Sequence, residues 1–280
     1  MSAAVVGAPT VRAGRSVPEV VVPGVPRQRA AAGPSVIALD IGVGFISGAV
    51  MTADGRVRES ERWYTRPDRG PDAVVDTVLG CAAHLVDLAA RRGTAAAAAG
   101  IAVLGSVDRG AGTVSSVELG WVDLPLRSWL EEHLEVPVAL GHAGHAGAVA
   151  ESRLGAGRGC AAFAFVTSRD PLVVAVVRGG RPAEEVTFSA AWSPQGSGTG
   201  ALRSEDAGVL AGMITAAGAE RVVIGGSGPP VGAALVQMFG NALDRVTEGG
   251  RRPEVVAGEL GCRAASLGVA MMAQELADGC

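Results

Sequence analysis

The sequence predicts an α/β protein, and three observations carry that prediction. Short apolar runs ending in glycine-containing turns recur at 35–50, 100–108, 136–140, 160–167 and 221–228. Between them, stretches with apolar residues three and four positions apart read as helices. The run that ends at Leu140 then meets a small polar turn, GHAG, and an alanine-rich helix from Ala146. Strand-to-helix junctions of this kind are where α/β proteins place ligands.

Composition bounds the function classes. A chain of 280 residues, 48% hydrophobic and 19% charged, can bury a substantial core as one or two domains. A formal net charge of −4, the lack of a basic run and a single tyrosine speak against nucleic-acid binding. Every positive side chain is arginine, as a GC-rich bacterial coding sequence would give. Residues 1–34 hold five prolines among alanines, valines and four arginines, with no helical period, and are expected to be a disordered tail. The valine run 20–22 closes at Pro23, too short for a signal-peptide core, so a cytoplasmic protein with no membrane segment is expected. Cys81, Cys160, Cys262 and Cys280 share no C-x-x-C spacing and read as reduced cysteines, not as a disulfide framework or metal site.

In chain order, 35–50 reads as a strand, a tight turn and a returning strand. The periodicity of Val74, Val75, Val78, Leu79, Ala82, Leu85 and Val86 predicts a helix over 70–92, with His84 a surface or packing histidine. A third strand runs toward Asp108, and Trp129 and Leu130 are expected in the core of a short helix. After the helix 146–154 come the strand 160–167 and an apolar hairpin partner. The segment 182–221 follows, whose WSPQGSGTG lacks the lysine of a phosphate loop and reads as a linker. A helix through Val209 and Met213, the strand RVVIGGSG, a helix over 231–243 and a closing strand and helix within 254–277 complete the chain.

Five ordered stretches resemble the ROK family (repressor, open reading frame, kinase) of sugar kinases and regulators: DIGVG at 40–44, GIAVLGSVD at 100–108, VELGWVDLPL at 117–126, the junction at 136–151, and VVIGGSG at 222–228. The resemblance implies an actin-like ATPase (ribonuclease H-like) fold of two α/β lobes, here 35–151 and 152–280, with the second lobe shortened. It further implies nucleotide contacts at Asp40, Gly42, Gly44, Gly225 and Gly226, as a vestigial site, and substrate contacts at Glu118, His142, His145 and Glu151. Family members commonly dimerise, so a homodimer or a hetero-partner is expected.

Four departures from the family pattern bear on chemistry. Ala143 stands at the position of the general base, and a methyl group accepts no proton. The glycines of the second phosphate loop are replaced over Arg169–Ala175, with Pro171 removing a backbone donor. Glu118 replaces the sugar-binding asparagine. The segment that carries a sugar contact and the zinc-binding cysteine cluster is missing, so no zinc is expected. Phe45 stands where the first loop has lysine. His142 is the substitute base from the neighbouring position, if one exists. His142 and His145 in H-x-x-H spacing also form a candidate metal pair, set aside because glycines flank both. The expected function is a catalytically inactive ROK homologue that binds a sugar or a partner protein and needs no cofactor. The alternatives are an ATP- and Mg-dependent hexose kinase and a biosynthetic accessory protein whose cleft binds something other than sugar.

Overall fold

A computed structural model describes residues 33–52, 55–167, 172–188, 204–226, 233–247 and 252–279. The tail 1–32, the linker 192–200 and Arg169 lie outside the described residues. The chain divides into two compact units, 1–142 with 269–280 and 143–268.

In the first unit, β1 (Ser35–Ile41), β2 (Phe45–Thr52) and β3 (Val57–Tyr64) form an antiparallel meander. The helix α1 (Pro71–Arg91) leads to β4 (Ala96–Val103), which lies parallel to β1. A small antiparallel sheet follows, of β5 (Ser106–Asp108), β6 (Thr113–Ser116) and β7 (Trp121–Leu124), then α2 (Leu126–Leu134) and β8 (Val138–His142), parallel to β4. The main sheet has the order β3-β2-β1-β4-β8. Every residue of β1 is buried, which fits a central strand covered on both faces. By length and hydropathy α1 could cross a membrane. Its Val74, Val78, Cys81, Ala82 and Leu85 instead pack with Ile37, Leu39 and Ile41 in the core of this unit.

The second unit holds α3 (Ala143–Leu154), β9 (Ala162–Thr167), β10 (Leu172–Arg178) and β11 (Arg181–Phe188). After them come α4 (Ser204–Ala216), β12 (Arg221–Gly225), α5 (Ala233–Val246) and β13 (Glu254–Ala257). The terminal helix α6 (Ala264–Asp278) starts in this unit, and from Val269 onward belongs to the first. The sheet order β11-β10-β9-β12-β13 repeats that of the first unit: an antiparallel meander followed by two strands parallel to its first member. The same topology built twice is the actin-like pattern that the sequence leads one to expect.

The division into units falls after His142, where the sequence places the lobe boundary after Glu151, and α6 from Val269 onward belongs to the first unit, in which Val269 lies against Gly100 of β4. Two expectations need correction. The junction helix begins at Ala143, three residues earlier than its alanine run suggested. Leu130 is fully buried, but Trp129 is 41% exposed, since the two adjacent positions point to different sides of α2.

Candidate functional site

Within the first unit the candidates gather at the C-terminal ends of β1, β4 and β8. Strand register lays out two rows: Ser47, Asp40, Ala102 and Gly141 in one, Ile46, Ile41, Val103 and His142 in the next. The pleat sends adjacent rows to opposite faces. Ile41 and Val103 join the core against α1, so His142 shares that face, whereas Gly141 of the other row abuts Met272 of α6. Asp40 and His142 are both nearly buried, and they face opposite sides of the sheet.

The turn between β1 and β2 is closed by its own backbone. The Gly42 N–H donates to the Phe45 carbonyl at 3.0 Å, and the Thr65 N–H donates to the Gly44 carbonyl at 3.2 Å. The Thr65 hydroxyl donates to the Gly42 carbonyl at 2.5 Å. One turn residue thus spends its donor internally. Gly44 is exposed, and nothing lies within 4 Å of a Cβ built there. Thr65 was missed in the sequence because it lies 23 residues from the glycine it holds, and nothing local marks it.

Glu118 sits exposed on the turn between β6 and β7, where the Ser116 hydroxyl donates to its Oε2 at 3.3 Å. Trp121 anchors that turn: it is buried and its Nε1–H donates to the Pro71 carbonyl at 3.3 Å. Further along α1, His84 Nε2 lies 3.2 Å from Glu61, and its ring packs edge-on against Trp63 at 5.9 Å. That is the packing role expected of it.

In the second unit, Ala143 is the first residue of α3, and His145 lies partly buried in the same first turn. Glu151 lies near the C-terminal end of the same helix. It is fully buried, and its carboxylate accepts backbone N–H donors from Ala156 at 2.8 Å, Leu260 at 3.0 Å and Glu259 at 3.3 Å. The resemblance put Glu151 among the substrate contacts; its burial among three backbone donors gives it the role of a structural strut.

The second-loop positions are strand. Val173, Val174 and Ala175 lie in β10, buried, and Val174 and Ala175 pair with Val166 and Phe165 of β9. The Val173 N–H donates to the Thr167 hydroxyl at 2.8 Å. Gly225, last in β12, pairs with Thr167, and Gly226 has φ 107°, a conformation that favours glycine. A Cβ at Gly225 would come 3.1 Å from the Phe165 ring, so packing alone also calls for a small residue there. Among the described residues, no group of three or more His, Cys, Asp or Glu side chains is placed to hold a metal.

Similarity to known proteins agrees with the fold. The structure resembles a ROK hexokinase from Thermus thermophilus, with a TM-score of 0.68 and 22% identity over 88% of this chain and 100% of that one. It resembles equally a ROK family glucokinase from Streptomyces griseus, solved with glucose and AMPPNP, at 21% identity, TM-score 0.68, and 86% and 99% coverage. A ROK family transcriptional regulator, homologous to the E. coli MLC protein, superposes with a TM-score of 0.65 at 14% identity over 89% of this chain and 79% of that one. In sequence, the Xylose repressor of Bacillus spizizenii is 25% identical over 122 residues, which are 44% of this chain and 32% of the repressor. The chain therefore spans about a third of the length of that curated relative. At these identities the structural likenesses establish the fold, the ROK type of the actin-like ATPase architecture. The ROK family pattern itself matches residues 36–183, more than half of the sequence, and the chain belongs to the ROK family.

Proposed function

We propose that this protein is a non-catalytic ROK homologue that works by binding, as a regulatory or scaffolding protein in the cytoplasm, with a hexose-type sugar as its small-molecule ligand. The observation that carries the reading is the β9–β10 hairpin. Val173, Val174 and Ala175 fill the core where the family resemblance calls for glycines whose backbone approaches phosphate. A buried valine cannot offer that approach without leaving the core. Loss of phosphate positioning and of the base at Ala143 together remove the two contributions on which phosphoryl transfer depends. The described residues therefore fit a nucleotide triphosphate poorly at its phosphate end. Glu118, exposed and acceptor-only when ionised, is the candidate contact for sugar hydroxyls in the first unit.

One observation favours the alternative, an ATP-dependent hexose kinase: the Gly225–Gly226 turn retains the backbone freedom that lets a nucleoside lie close. A thermal-shift titration against Mg-ATP, ADP, hexoses and N-acetylhexosamines separates the readings, because a ligand that binds only the folded state raises its melting temperature. A hexose shift without an ATP shift supports the sensor. Saturable stabilisation by Mg-ATP overturns it in favour of the kinase. The similarity to a repressor and a regulator makes a double-stranded DNA fragment a necessary further arm of the titration, with no shift expected.

A further inference from the structure

The outer strand of the first unit, with Phe45 of the first loop opposite its last residue, carries a segregated surface. Among the described residues, strand β3 closes one side of the five-stranded sheet and pairs only with β2. On its inner face Glu59, Glu61 and Trp63 stand opposite Val50, Gly48 and Ile46. Trp63 is buried there, Glu59 pairs with Arg92 and Glu61 lies beside His84. On its outer face Ser60, Arg62 and Tyr64 stand opposite Ala49, Ser47 and Phe45. No carboxylate belongs to that outer set.

Two aromatic rings lie open on this face. Phe45 is 41% and Tyr64 45% exposed, with ring centroids 5.0 Å apart. The Arg62 guanidinium sits 5.3 Å over the Phe45 ring, and that of Arg66 sits 5.8 Å over Tyr64. Arg58 adds a third exposed guanidinium at the bulge where the β2–β3 register shifts. Among the described residues, none of these three arginines forms an ion pair. A guanidinium stacked on a ring keeps its in-plane N–H donors for an anion.

We infer that the β3 edge is a docking site for an extended, acidic segment of a partner protein, which adds as a sixth strand beside β3. An outer strand offers main-chain groups for strand addition, and alternate side chains then supply specificity. The outer face asks for carboxylates and an aromatic ring at every second position of the incoming segment. The inner face, lined by Glu59 and Glu61, asks for neutral residues at the positions between. The chain's own residues 1–34 do not have this chemistry, since they hold four arginines and one glutamate. A nucleic acid needs a longer basic track than three arginines on a protein of net charge −4.

The test uses the full chain and a fluorescein-labelled peptide of about ten residues, the length of a β-strand, alternating Glu with Thr and carrying one Trp in the Glu frame. Saturable anisotropy, loss of at least about tenfold affinity in both Arg62→Glu and Tyr64→Ala, and slowed amide exchange at Ser60 and Arg62 are expected. Both side chains are exposed, so the variants should melt with the parent, and their melting curves verify this. Charged residues on an edge strand also discourage self-pairing. If that is all they do, the peptide does not bind, or a version with its glutamates in one block binds equally well, and the inference falls. Tighter binding of a single-stranded oligothymidine than of the peptide overturns it in favour of a nucleic-acid surface.

Discussion

The backbone N–H of Leu260 donates to Oε1 of Glu151 at 3.0 Å, across 109 residues of sequence. With Ala156 and Glu259 donating to Oε2, this carboxylate ties the end of α3 to the loop after β13. Glu151→Ala leaves three backbone donors without their acceptor, and at about 1–3 kcal/mol for each unmet buried group it should destabilise the fold by at least about 3 kcal/mol. Glu151→Gln keeps one acceptor but turns an N–H₂ group toward a donor, and should fall between. Urea unfolding ranks the three proteins; equal midpoints would show that the strut carries no load.

Gly268 and Gly80 are both helical glycines with opposite expected behaviour. A Cβ at Gly268 would fall on the Ala146 carbonyl, so Gly268→Ala must push α6 off α3 and should be insoluble or lose several kcal/mol, in the range of about 1–3 or more for overpacking. Gly80 on α1 has nothing within 4 Å of the built Cβ. Gly80→Ala should stabilise by about 0.5–1 kcal/mol through helix propensity alone. Thermal melting of both variants reads the contrast.

Cys81 is buried, and its thiol pKa is pushed up to about 12 by burial first and by the Glu61 carboxylate second. The folded state therefore holds this proton more tightly than the unfolded state, whose thiol titrates near 9. Its contribution is complete below pH 9 and is lost as pH rises toward 12, by about 1.4 kcal/mol per pH unit if nothing else titrates. At pH 8, a thiol reagent should modify exposed Cys262 quickly and Cys81 only on unfolding. Rapid labelling of Cys81 in the native protein would contradict its burial.

Ala143→Asp puts a carboxylate back at the family's base position. A general base is typically worth about 10²–10⁴ in rate, but only to a phosphoryl group already held in line. ADP release in the presence of hexose should stay at background, because Val173 and Ala175 still fill the hairpin core. Turnover restored by this single change would mean that the base was the only defect, and that the kinase reading is right for the ancestral site.

The strands and helices were legible because their residues repeat at periods that belong to local geometry. The continuous apolar run of β1 and the three-and-four spacing of α1 are such signals. So was the exchange of glycines for valines at β10, since β-branched residues fit a pleated strand. The roles of the charged residues were less legible. Glu151 and Glu118 are the same residue type in segments that both looked ligand-facing, yet one is fully buried among backbone donors and the other is exposed on a turn. Nothing within a few residues of either distinguishes them.

By itself, then, the sequence determined the order of the elements, the ROK resemblance and the absence of a carboxylate at Ala143, all of which depend on residue identity and short-range spacing. Tertiary structure alone decided that Glu151 is a strut, that Asp40 and His142 leave opposite faces of one sheet, and that Phe45 and Tyr64 share an open face with Arg62 and Arg66. Each of these depends on register between strands or on partners tens of residues away. A one-residue shift in pairing would reverse every side chain concerned without changing a letter of the sequence.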